Sequence, residues 1–207
     1  MLKPNRSLQE VDVELMTGFG LASAAGLNAY IPLLSMGLLG RYTNLVDLPA
    51  AWSWLENGWV IGIVAVLLAV EIVADKIPAL DSINDTVQTF VRPTSGGIVF
   101  GSGTAAQTAA VTDPGDFAHT GQWVPVVIGV ITALAVHLTK SAVRPVANVA
   151  TAGIAAPVLS TVEDFTSAGL TFVAILLPAL VIVVLIALIW AAVWLIRKRR
   201  QRPSAAG

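Results

Sequence analysis

What most constrains this chain is its succession of apolar segments, each long enough to cross a hydrocarbon core of ~30 Å, which takes about 20 helical residues. The last of them, Phe165–Ile196, contains no charged residue. Five precede it: Thr17–Gly40, Gly58–Asp75, Pro93–Val111, Gln122–Thr139 and Val143–Val162. Charge is correspondingly scarce. Only 12% of the 207 residues are Asp, Glu, Lys or Arg, about half of the ~25% usual in a soluble domain. The expected fold class is all-α: a polytopic transmembrane helix bundle of about six spans, multi-pass in the cell membrane.

The segments are unequal. The first is interrupted by Gly26, Asn28 and Pro32, and the third and fifth are rich in small residues, so a re-entrant path is the alternative for those two. Before them stands a polar segment, 1–16, carrying Lys3, Arg6, Glu10, Asp12 and Glu14. A single transmembrane domain over 17–196 follows, then a basic cytoplasmic tail, 197–207.

Six spans with the N-terminus inside put eleven of the 12 Lys and Arg residues on the cytoplasmic side and leave only Arg41 outside. That is the asymmetry of the positive-inside rule, and it places both termini in the cytoplasm. Trp52, Trp54, Trp59 and Trp123 then mark the outer interface, and Trp190 and Trp194 the inner one. On that reading the sixth span, Ala174 included, faces lipid over much of its circumference.

Two stretches share a pattern. Trp59 and Trp123 each precede a lysine, Lys76 and Lys140, by the same spacing, and each lysine is followed by Val-Arg-Pro (Val91–Pro93 and Val143–Pro145). This suggests a repeated hairpin, 58–111 and 122–162, with an insert in the first copy only. The insert has Pro78 at a first helical position. Leu80, Ile83, Val87 and Phe90 fall on one helical face, with Asp81, Asp85, Gln88 and Arg92 on another, as in an amphipathic helix at the inner interface.

Two blocks carry a family likeness: GLASAAGLNAYIPLLSMGLLGR (Gly20–Arg41) and EIVADKIPALDSINDTVQTFVRPTSGG (Glu71–Gly97). They resemble the signatures of a bacterial family of small integral membrane proteins classed only as a domain of unknown function. The likeness covers roughly 17–195. It implies membrane location and brings no activity, substrate or catalytic residue.

The candidate site comes from the polar residues themselves. Glu71 lies 12 residues beyond Trp59, about 18 Å into the core, and an ionisable group at that depth costs roughly 2.5 kcal/mol or more. Either it serves transport or it pairs with Lys76 or Lys140 as structure. Asp75 shares its face. Asn28 and Pro32 sit at mid-depth in the first segment, where a broken helix would free carbonyls for an ion or substrate. The binding or transport set is therefore Asn28, Glu71, Asp75, Lys140 and Arg144. Arg92 and Arg144 are candidates for a phosphate or lipid head group, and Asp81 and Asp85 for a divalent cation, the only cofactor the sequence offers. His137 reads as an interior hydrogen-bonded group.

The chain contains no cysteine, which excludes thiolate chemistry, and no basic-aromatic patch points to nucleic acid. The expected partners are the lipid bilayer and an ion, small solute or lipid head group. The leading functional expectation is a small transporter or channel around Glu71 and Asn28. The alternatives are an inner-leaflet enzyme acting on a lipid-linked phosphate and a non-catalytic membrane assembly protein.

Overall fold

The structure, a computed structural model, describes residues 8–104, 123–151 and 155–200. Among them every regular element is helical: α1 (Leu8–Leu27), α2 (Tyr30–Tyr42), a 3-10 turn (Ser53–Glu56), α3 (Gly58–Ala74), α4 (Pro78–Gly103), α5 (Trp123–Ala150), α6 (Ala155–Leu176) and α7 (Ala179–Arg200). Two stretches are long and apolar enough to cross a membrane, Trp123–Arg144 in α5 and Ala156–Leu176 in α6. Shorter apolar helices cover Gly58–Ala74 and Ala179–Trp190.

The first expected span, Thr17–Gly40, is two helices. α1 stops at Leu27 and α2 starts at Tyr30. The Asn28 side-chain oxygen, Oδ1, accepts from the Tyr30 and Ile31 amides, at 3.0 and 3.2 Å. That capping of the first α2 amides by a side chain separates the two helices.

The chain then turns back. α1 lies antiparallel to α4, with Gly18 against Phe100 and Thr104 and the Ala29 carbonyl at Ser95. α2 runs from that same level, at Tyr30, up to Gly37 against Leu55 and Ile61, beside the Trp52 that packs on Gly101. The far ends of both arms therefore lie at one end of the bundle, and the tip at Asn28–Ala29 lies well inside it. Neither arm could cross alone: the apolar part of α1, Met16–Leu27, is about 18 Å long and α2 about 20 Å.

The other boundaries shift for related reasons. The insert helix and the third expected span form one helix, α4, that runs through Pro93. A residue before proline disfavours helix, but packing overrides this. Gly96 of α4 faces Gly129 and Ala133 of α5 so closely that a Cβ at Gly96 would fall 2.7 Å from the Gly129 carbonyl oxygen. Residues 105–111, the end of that expected span, lie outside the described residues.

The fifth expected span is divided. Residues 143–150 continue α5, and 155–162 begin α6. The sixth is divided at Leu177–Pro178, between α6 and α7. Ala174, expected to face lipid, is fully buried: a Cβ on Gly20 would come 2.6 Å from its methyl.

Burial is layered. Toward the Trp52 end, Leu21, Ala25, Met36, Leu55, Val99, Ala133, Ala174 and Val181 pack as an apolar core. Toward the other end the interior is charged. The two largest fully buried side chains are Arg92 and Arg144, while Ile63, Val66, Val70 and Val73 of α3 point outward.

Candidate functional site

Five elements meet at the tip of the α1–α2 hairpin: α1 ends and α2 begins there, and α4, α5 and α6 pass it mid-helix. At an α-helix C-terminus the last four carbonyls lack intrahelical donors. At the end of α1 the Ala24 carbonyl still accepts from the Asn28 amide, and two of the four carbonyls take side chains of other helices. Ser167 of α6 donates to the Ala24 carbonyl at 2.9 Å, and Lys140 of α5 donates to the Leu27 carbonyl at 3.1 Å. Just past the break, Ser95 of α4 donates to the Ala29 carbonyl at 2.6 Å. Of the carbonyls at the break, expected to meet an ion or substrate, that of Leu27 is thus occupied by a lysine, and those of Ala24 and Ala29 take serine hydroxyls as well.

Asn28 does two jobs. Its oxygen caps α2, and its amide nitrogen donates to Asp164 Oδ1 of α6 at 2.9 Å. A carboxylate accepts only, so Asp164 fixes which way the Asn28 amide points.

Around the tip lies an ionic cluster. Arg92 is fully buried and donates to Glu71 Oε1 at 3.0 Å; Glu71 is itself 2% exposed. Glu71 therefore pairs with Arg92, not with Lys76 or Lys140 as the sequence suggested. The other terminal nitrogen of Arg92 lies 3.1 Å from His137 Nδ1. Arginine can only donate, so Nδ1 accepts, and the ring proton sits on Nε2, which is 3.0 Å from the Thr89 hydroxyl. His137 is an interior hydrogen-bonded group, as expected.

Asp75 Oδ2 sits among three cations: Arg144 at 3.3 Å, Lys140 at 3.8 Å and Arg92 at 3.9 Å. Its other oxygen accepts from the Asn84 amide at 2.5 Å. Glu163 Oε2 holds Arg144 at 2.6 Å and Lys140 at 2.8 Å. At the rim, Asp85 is 3.9 Å from Arg144, and Asp164 is 4.0 Å from a more exposed Lys76.

Arg92, Lys140 and Arg144 thus face Glu71, Asp75 and Glu163 in the interior, with Asp85 and Asp164 at the rim. Pairing of this kind is what makes buried charge tolerable. All five residues of the expected transport set, Asn28, Glu71, Asp75, Lys140 and Arg144, come together here.

The weaker assignments fare differently. Arg92, a candidate head-group ligand, is enclosed with Glu71. The side chain of Asp81 lies outside the described residues, and Asp85 faces an arginine. Among the described residues no group of three His, Cys, Asp or Glu side chains is arranged to hold a metal.

Sequence reasoning missed Glu163 and Asp164. Two adjacent acids between apolar runs read as a loop, and only the unbroken helical pattern from Ala156 to Leu176 argues otherwise. Gln88, read only as part of the polar face it shares with Arg92, is buried to 1% exposure, with an unpartnered side-chain oxygen.

A cavity of about 540 Å³ opens beside the cluster, between α1, α5, α6 and α7. Lys140, Arg144 and Glu163 line its polar end, and Leu159, Leu170, Leu185 and Leu188 its apolar walls. That volume is in the range of small-molecule sites. No curated protein and no solved structure matches the chain. Over residues 15–198 it matches the family described as domain of unknown function DUF4126, and the chain belongs to that family.

Proposed function

We propose that this protein is a small integral membrane transporter whose solute path passes the buried charged cluster at the tip of the α1–α2 hairpin. The observation that carries this reading is the broken helix itself: two half-helices meet at Asn28, inside a bundle whose interior there is ionic. Discontinuous helices facing charged groups at depth are how transporters build solute and ion sites, and ionisable residues inside a span mark such paths. The inverted distribution supports membrane insertion, with arginines enclosed and Ile63, Val66 and Val70 facing out.

The proposed threading has α1–α2 entering from the outer face as a re-entrant hairpin, followed by α3 to α7 as five crossings. The N-terminus is then outside and the basic C-terminal tail in the cytoplasm. Nine cations remain inside against three outside, so the positive-inside rule still holds.

The test is flux in proteoliposomes, with a panel of monovalent cations, protons and small amines as solutes. Uptake above empty vesicles for at least one of them, lost in Asp164→Asn, is expected, because that isosteric change keeps an acceptor for Asn28 and removes a rim charge. Flux at the empty-vesicle level for the whole panel, from protein shown to be folded, contradicts the reading. The enzyme alternative has less support, since Asp85 is engaged with Arg144 and Arg92 with Glu71.

A further inference from the structure

The Lys140 ammonium sits where a free cation would be expected to bind. Three oxygens from three helices converge on it: the Leu27 carbonyl of α1 at 3.1 Å, Glu163 Oε2 of α6 at 2.8 Å and, more loosely, Asp75 Oδ2 next to the end of α3 at 3.8 Å. One of these is the last carbonyl of a helix, the negative end of its dipole. Two are carboxylates that Lys140 shares with Arg144. The side chain that fills the cage is 3% exposed, and the cage borders the 540 Å³ cavity through Leu27, Lys140, Arg144 and Glu163.

We propose that this cage is a monovalent-cation site and that Lys140 is its built-in occupant, displaced when an inorganic cation enters from the cavity. The proposal rests on the reading of the cluster as an intramembrane transport site and names the ion that site would take.

Charge fixes the valence. Withdrawing Lys140 removes one positive charge from beside Asp75 and Glu163. One monovalent ion restores the balance; a divalent ion overshoots it. Size favours K⁺ over Na⁺, because the present spacing fits an ammonium and K⁺ is the inorganic ion closer to it in radius. The donor set agrees, being wholly oxygen once the lysine leaves, which suits a hard cation. The lysine can swing without unfolding the helix that carries it, since its four-carbon stem is flexible and the residue lines the cavity.

The experiment uses the full chain with Lys140→Met, purified in detergent, and thermal unfolding in chloride salts of K⁺, Na⁺ and N-methylglucamine at equal ionic strength. K⁺ is expected to raise Tm saturably, by about 3–6 °C at ten times its dissociation constant. Na⁺ should do less, and the large organic cation nothing. The rise should vanish in Lys140→Met combined with Glu163→Gln, where the Glu163 charge is gone as well. Equal Tm in all three salts overturns the proposal, as does a K⁺ effect that survives Glu163→Gln.

Should Lys140→Met fail to fold in any salt, the wild-type protein decides. K⁺ should raise modification of Lys140 by an amine-reactive reagent several-fold over N-methylglucamine, read by peptide mass spectrometry. Modification unchanged by K⁺ overturns the proposal. Neither readout involves flux, so binding without transport and transport without this binding give different results.

Discussion

Arg92 holds the interior of this protein together at the level of single residues. It is fully enclosed, and its two terminal nitrogens reach Glu71 on α3 and His137 on α5. Removing one member of a buried pair leaves the other charge unpaired, at a cost of roughly 3–5 kcal/mol. Glu71→Gln should therefore lower stability by about that amount in thermal or denaturant unfolding. Adding Arg92→Met should recover most of it, whereas adding Lys140→Met should not. Recovery with Lys140 instead would mean that Glu71 belongs to the lysine. Asn28 acts more locally. Asn28→Ala removes the acceptor for two α2 amides and the donor to Asp164, which should cost about 1–2 kcal/mol. Hydrogen exchange at the Tyr30 and Ile31 amides should speed up more than at Met36, deeper in α2; equal acceleration along the helix would show that the cap is not what holds that end.

Helix contacts, one scale up, are set by residues without bulk. Gly129 backs onto Gly96 and Phe100 with no room for a side chain, whereas Gly62 on α3 has nothing within 4 Å. Gly129→Leu should prevent folding or lower Tm by several degrees, and Gly62→Leu should leave it near wild type. Equal thermal stability of the two would remove the argument for a tight α4–α5 seam. The helical class and the convergence of Asn28, Glu71, Asp75, Lys140 and Arg144 were legible in the sequence, because depth along a helix follows from residue count and charge at that depth is conspicuous. The ends of the helices were not. Pro93 and the Glu163–Asp164 pair look like helix boundaries by local preference, yet α4 and α6 run through them. Their polar groups find partners on other helices, and pairings of that kind leave no local trace. The partner of Glu71 was missed for the same reason: Arg92 was placed on the polar face of an amphipathic helix at the inner interface, as a head-group ligand.

The whole molecule is an apolar half and a charged half, joined by a hairpin that enters from the apolar end and touches the charged end with its tip. Leu21, Met36 and Val99 fill the first, and Arg92, Lys140 and Arg144 anchor the second. This division explains how α1 and α2 can break in the interior: Lys140 takes the Leu27 carbonyl at the turn, and Ser167 and Ser95 add bonds to those of Ala24 and Ala29. The sidedness of the two arms tests that account most directly. Because the chain has no cysteine, single substitutions report cleanly, and Asp12, Tyr42 and Lys76 are all exposed. In intact cells, a membrane-impermeant maleimide should label Asp12→Cys and Tyr42→Cys alike, and should label Lys76→Cys only after permeabilisation. Labelling of Tyr42→Cys with Asp12→Cys protected until the membrane is opened would make 17–40 a single crossing and contradict the hairpin.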